Sequence, residues 1–300
     1  MSVTAPLSNE VMNKIRRIEI RTRHKVDDLF AGSYLSVFKG RGIEFDEVRP
    51  YQAGDDVRTV AWNVTARMGE LYVKRFIEER ELTLLLMVDV SGSQDFGSVR
   101  QFKREAVAEM AALLALAANR NNDKVGLLLF SDRVEQYIPP RKGRKHMLRL
   151  VRELLTFEPR GHGTNLKAAL DYANQMLKRR GIVFLLSDFQ ADPESYRKAL
   201  NVAGHRHDLI AIDLHDPLEK EIAPVGLLVL EDAETGELIE VDTADPVWRK
   251  AFHDRQAQLD AAIKRVLNGA KVDRIYLMTP DDHVGALTRF FQQRLRRMAH

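Results

Sequence analysis

The sequence predicts an α/β fold with a doubly wound, mainly parallel sheet, carrying an N-terminal elaboration and an inserted β-hairpin. Three observations carry that prediction. From Glu81 onward, apolar runs of strand length alternate with amphipathic helical stripes. The first run, Leu82–Val90, lacks polar alternation, as a strand covered on both faces does. It ends in Asp89-Val90-Ser91-Gly92-Ser93, at the carboxyl edge where α/β sheets usually bind ligands.

Taken in order, Val11, Ile15, Ile18, Ile20, Val26 and Leu29 recur at roughly helical spacing and predict an amphipathic helix between Val11 and Phe30 that packs on something else. Residues 31–51 change to turn formers and aromatics. Gln52-Ala53-Gly54-Asp55-Asp56 reads as a turn, Val57–Arg67 carries Trp62 in a segment of undecided type, and Leu71 to Phe76 alternates like an extended edge. None of this has the periodicity of an independent core. Residues 1–78 are therefore expected to be a block docked on a main domain of residues 79–300.

In that domain strands are expected at Leu82–Val90, Val125–Phe130, Val134–Ile138, Ile182–Leu186, Asp208–Leu214 and Val272–Met278. Helical stripes run through Phe102, Ala106, Val107, Met110, Leu113, Leu114 and Ala117, and through Leu166, Leu170, Ala173, Met176 and Leu177. A last helix holds Leu287, Phe290, Phe291 and Leu295, opened by Asp281 and Asp282 as capping acids. Val225–Leu230 and Leu238–Val241 flank a turn around Glu234-Thr235-Gly236, a hairpin inserted at about residues 222–243 ahead of a helix starting near Asp245-Pro246.

Composition narrows the function classes. With 300 residues, 45% hydrophobic and 30% charged, the chain is long enough for a substantial core. No apolar run approaches the ~20 residues of a membrane span, and MSVTAPLSNE is not a signal peptide, so a cytoplasmic protein is expected. The absence of cysteine removes disulfides, thiolate metal sites and cysteine nucleophiles. A formal charge of +3 gives no case for nucleic acid. The basic run Arg141, Lys142, Arg144, Lys145, His146, Arg149 and Arg152 is either a patch for an acidic partner or, more ordinarily, a solvated helix face.

Asp89, Ser91 and Ser93 place a carboxylate and two hydroxyls at alternate positions of one loop, where their oxygens can converge on a hard cation such as Mg²⁺ or Mn²⁺. Two later loops leave the same sheet edge: Gly161-His162-Gly163-Thr164-Asn165 before a helix, and Ser187-Asp188 after a strand. Taken singly, Thr164 or Asp188 could cap a helix, and Asp55 and Asp56 could be turn acids paired with Arg58 or Arg49. Trp62 alone reads as a packing anchor.

A strand followed by Asp-x-Ser-x-Ser, a Thr before a helix and an Asp after a later strand resembles the metal-ion-dependent adhesion site of von Willebrand factor A-type domains. The resemblance implies metal ligation by Asp89, Ser91, Ser93, Thr164 and Asp188, with one coordination position left for a partner's carboxylate. Upstream, Gly42-Ile43-Glu44-Phe45, Arg49-Pro50-Tyr51, Gly54-Asp55-Asp56-Val57-Arg58, Trp62, Ala66-Arg67 and Glu78-Glu79-Arg80-Glu81 resemble the block that DUF58 proteins join to such a domain. That resemblance implies a MoxR-type AAA+ ATPase as partner. Many members carry transmembrane helices ahead of the block, which this sequence lacks. Gln94 stands where Met often follows the second Ser, and metal binding is expected to be unaffected.

Three functions compete. The first is a non-enzymatic, metal-dependent interaction module: an adaptor or client-recruiting subunit of the ATPase, capturing an Asp or Glu of a client protein through bound Mg²⁺. The chain has no Gly-x-x-x-x-Gly-Lys-Ser/Thr loop of its own. The second is a hydrolase using Ser91 or Ser93 with His162 and Asp188 or Asp216, against which stands the missing Gly-x-Ser-x-Gly elbow. The third is a scaffold with a vestigial metal site, in which Gly54, Asp55, Asp56, Arg58 and Trp62 carry the interaction.

Overall fold

A computed structural model describes residues 44–77, 82–97, 102–232 and 236–299. The expected Val11–Phe30 helix and the Glu78–Glu81 segment lie outside the described residues, as do residues 233–235 of the hairpin turn. The chain divides into two compact units, one of residues 38–81 and one containing everything from Leu82 onward.

In the smaller unit, β1 (Glu44–Pro50) pairs antiparallel with β2 (Tyr72–Ile77), in a register that sets Arg49 opposite Val73. A 3₁₀ turn at Val57–Thr59 and the short helix α1 (Trp62–Met68) connect the strands. Helix α1 stops at Gly69, whose φ of 77° is the left-handed conformation that favours glycine at a helix end. Val60, Ala61 and Val73 are the buried apolar residues here.

The larger unit is a six-stranded sheet in the order β10-β7-β6-β3-β4-β5. Its strands are β3 (Thr83–Asp89), β4 (Lys124–Phe130), β5 (Val134–Arg141), β6 (Ile182–Ser187), β7 (Asp208–His215) and β10 (Asp273–Met278). All neighbours run parallel except β4 and β5. Strand β5 extends past the expected Ile138 through Pro139 and Pro140, which an edge strand tolerates because one row of its amides needs no partner. Gly126 of β4 makes room for it, since a Cβ there would lie 2.8 Å from the Pro140 side chain.

Leu84 to Val88 of β3 are fully buried. Leu85 and Met87 face one apolar layer with α4 (Leu166–Met176), α5 (Pro193–Arg206) and α6 (Pro246–Gly269). Strand alternation turns Leu84, Leu86 and Val88 to the opposite face. Helix α2 (Lys103–Arg120) packs against β3, β4 and α3 (Arg144–Thr156), and it is buried almost all round, which its alanine-rich sequence permits. The sheet is thus doubly wound, as expected.

Helices α3 and α5 were not singled out by the sequence patterns. In α3 the basic run masks an i, i+3, i+4, i+7 stripe of Met147, Leu150, Val151 and Leu154, with Arg144, Lys145 and Arg149 on the solvated side. Helix α5 starts as caps dictate: Asp192 accepts from the Glu194 amide and Pro193 takes the first position. Met176, placed on the apolar stripe of α4, is instead 37% exposed at the helix end, where Leu177 takes the buried place. Helix α7 (His283–Ala299) follows Asp282 directly, and Asp281 accepts from the Met278 amide at 2.8 Å. The inserted hairpin is β8 (Leu227–Glu231) with β9 (Leu238–Asp242).

Candidate metal site

The chain leaves β3 for β4 on one side and returns through α4 to β6 on the other. Connections that part in opposite directions open a crevice at the strands' carboxyl ends. Asp89 ends β3 and Ser187 ends β6, so the first and third predicted loops meet in that crevice.

Asp89 is buried and doubly held, its Oδ1 accepting from the Ser91 amide at 3.0 Å and its Oδ2 from the Ser187 hydroxyl at 2.7 Å. The Ser91 and Ser93 hydroxyls are 3.1 Å apart. Ser93 also hydrogen-bonds Asp188, so Asp89, Ser91, Ser93 and Asp188 form one connected group. Thr164 lies in a loop tied to the first by the Gly92 amide, which donates to the His162 carbonyl at 2.8 Å. Asn165, not Thr164, caps α4, accepting from the Ala168 amide at 3.0 Å. The ordinary role open to Thr164 is therefore filled by its neighbour.

Asp188 sits in a strained turn. Fully buried Phe189, immediately after it, has φ 53°, in the left-handed region that side chains other than glycine avoid. The Phe189 amide donates to Ser187 Oγ at 3.1 Å and the Gln190 amide to Asp188 Oδ1 at 3.3 Å, which hold that shape.

Electrostatics sets the two acids apart. Burial, reinforced by the charge of Asp188, pushes the Asp89 carboxyl up to about 7 against the pull of its bonds from Ser187 and Ser91. Burial acts in the same direction on Asp188, but the Lys103 ammonium outweighs it, with bonds from Ser93 and the Gln190 amide, and holds that carboxyl low.

Lys103, the first residue of α2, has no exposed side-chain surface; its Nζ lies 2.7 Å from Asp188 Oδ2 and 2.5 Å from Glu219 Oε1. Burial alone would lower the Lys103 ammonium, yet the two carboxylates raise it. Glu219 closes the 3₁₀ turn Pro217–Glu219, in a capping box with Asp216. From there the charges continue through His215, Asp213, Arg274 and Asp260, with His215 Nε2 2.7 Å from Asp213 Oδ1 and Arg274 Nε donating to Asp213 Oδ2 at 2.7 Å. Neither Lys103 nor Glu219 was legible as a site residue. A lysine at a helix start reads as solvated, and its partners lie 85 and 116 residues away.

The donor set suits a hard cation, which takes six oxygens and tolerates waters. Two carboxylates and two hydroxyls converge, and the buried Gln94 amide beside Ser93 has no hydrogen-bond partner for either polar atom. Among the described residues no group of three or more His, Asp or Glu side chains is placed to hold a metal ion. The hydrolytic grouping does not assemble: the His162 imidazole is exposed and bonds neither Ser91 nor Asp188, and Lys103 occupies Asp188 Oδ2.

In the smaller unit Asp55 turned out to be the partner of Arg49, in a two-pronged pair at 2.8 and 2.7 Å that holds its carboxyl below the usual range. Asp56 caps the 3₁₀ turn by accepting from the Arg58 amide at 2.9 Å. Gly54 adopts φ 110°. Trp62 is 63% exposed, which corrects its reading as a packing anchor. It opens α1 and, like Val57, is exposed, whereas Ala61 before it is buried.

A mainly parallel sheet wound on both faces, with a crevice at the switch between β3 and β6, defines a von Willebrand factor A-like or Rossmann-like α/β protein. The chain belongs to the DUF58 family, described as a protein family of unknown function, whose profile matches residues 47–262. An uncharacterized protein of Mycobacterium tuberculosis strain H37Rv is 33% identical over 284 residues, covering 94% of this chain and 89% of that one. Among solved structures, the conserved hypothetical protein BatB of Bacteroides thetaiotaomicron aligns with a TM-score of 0.50 at 14% identity, over 73% of this chain and 98% of its own. An aerotolerance-related membrane protein of Bacteroides fragilis gives 0.50 at 15%, over 72% and 100%. Likeness at that identity shows the fold alone. Among the described residues no helix is long and apolar enough to cross a membrane.

Proposed function

We propose that this chain is a non-enzymatic protein-interaction module that binds Mg²⁺ or Mn²⁺ through Asp89, Ser91, Ser93, Thr164 and Asp188. An Asp or Glu of a client protein completes the coordination. In this reading it works in the cytoplasm as an adaptor or client-recruiting partner of a MoxR-type AAA+ ATPase, a partnership that rests on the family resemblance of the upstream block.

The observation that carries the reading is the uncompensated charge in the crevice. Asp89 and Asp188 set two buried carboxylates close together, and the Lys103 ammonium that compensates Asp188 is shared with Glu219. The incompletely compensated pair favours a divalent cation. Burial and the charge of Asp188 disfavour the ionised form of Asp89, which a bound cation favours. A cation bound mainly by hydroxyls and few charges keeps strong attraction for an incoming carboxylate. The exposure of Trp62 and Val57 favours the smaller unit, with Gly54, Asp55, Asp56 and Arg58, as a second contact with a partner.

The test is thermal unfolding of EDTA-treated protein titrated with Mg²⁺, Mn²⁺ and Ca²⁺, wild type against Asp89→Ala. A cation that binds only the folded state stabilises it by about 2.7 kcal/mol at a hundredfold excess over its dissociation constant. A saturable shift with Mg²⁺ or Mn²⁺ that disappears in the variant is expected. No shift in the wild type overturns cation binding.

A further inference from the structure

Lys103 offers a second conclusion about the same crevice, resting on the cation reading above. Its side chain is wholly buried between Asp188, in the third loop, and Glu219, which lies 31 residues further on in the turn after β7. A buried ammonium persists only where carboxylates compensate it, and these two do so at 2.7 and 2.5 Å. One of them is a ligand of the proposed site. The buried Lys103 ammonium is therefore bonded to an oxygen of the group that receives the cation.

We infer that Lys103 and Glu219 are a resident charge pair that sets the affinity of the cation site. Lys103 competes with the incoming cation for the negative charge of Asp188, and Glu219 moderates the competition by sharing the ammonium. Neither residue ligates the metal; both act through Asp188. The arrangement keeps the two acids compensated enough to fold without metal, at the cost of weaker binding. Such a site fills and empties instead of trapping its ion.

The two residues carry opposite charges, so their removal must act in opposite directions. Lys103→Met removes one positive charge beside Asp188 and tightens Mg²⁺ binding. Glu219→Gln removes one negative charge and weakens it. The double variant restores the wild-type charge balance. Calorimetric titration of EDTA-stripped protein with Mg²⁺ is expected to show a dissociation constant at least tenfold lower for Lys103→Met, about tenfold higher for Glu219→Gln, and within about threefold of wild type for the double variant. Lys103→Met also lowers the metal-free unfolding temperature, so stability and affinity move apart. A purely structural lysine would move them together.

Unchanged or weaker affinity in Lys103→Met overturns the inference while leaving the cation site standing. If Lys103→Met does not fold, unchanged or tighter affinity in Glu219→Gln overturns it equally. Wild-type protein that binds neither Mg²⁺ nor Mn²⁺ overturns both the site and the pair.

Discussion

Replacing Asp89 by Asn should stabilise the metal-free protein at alkaline pH while abolishing its response to Mg²⁺. The Asp89 carboxyl moves from the ordinary 3.8 to about 7 on folding, because burial and the Asp188 charge penalise its ionised form. The folded state then binds the proton more tightly than the unfolded state does. Stability from this group is complete below about pH 4 and is lost as pH rises towards 7. At 1.36 kcal/mol per pH unit the loss over about three units approaches 4 kcal/mol. Asn is nearly the same shape, keeps an acceptor for the Ser91 amide, and carries no charge to desolvate. Urea unfolding of both proteins in EDTA at about pH 5 and pH 8 isolates the effect, since every other titrating group is common to the two. The variant should gain on the wild type by a few kcal/mol between those values. A difference that does not grow with pH, or that grows in favour of the wild type, refutes the assignment of the buried charge to Asp89.

Two further outcomes concern the fold around the site. Arg274→Met leaves the fully buried Asp213 with His215 alone, and breaking such a pair from one side should cost about 3 kcal/mol in urea unfolding, with less than about 1 kcal/mol counting against the network. Gly204→Ala sets a Cβ 2.4 Å from the Ala270 carbonyl where α5 meets the end of α6, and because a backbone atom cannot swing aside as a side chain does, overpacking of about 1–3 kcal/mol is expected; a neutral substitution would show that the helices can separate freely.

Much of the fold was legible because the physics involved is local. Leu82–Val90 has no polar alternation, and β3 is indeed buried on both faces. The β8–β9 hairpin follows from alternation around a turn signal. Helix α3 escaped because a dense run of Lys and Arg reads as surface, and its four buried residues emerge only when the helical period is imposed on it. Trp62 was misread because aromatic residues are more often buried than exposed, and one residue gives no sign of which way its helix faces.

By itself the sequence determined the class of fold and the first loop of the candidate site. A buried strand must end at a sheet edge, and Asp89, Ser91 and Ser93 are neighbours in the chain. Tertiary structure decided everything that depends on which strand lies beside which. It put β6 next to β3 and so gave Asp89 the Ser187 hydroxyl and the Asp188 charge. It also carried Lys103 and Glu219 into the same crevice, 116 residues apart. Hydrophobic periodicity records only whether a residue faces the core. Charge compensation across a sheet edge depends on distances that arise after the strands have paired, and no local pattern encodes them.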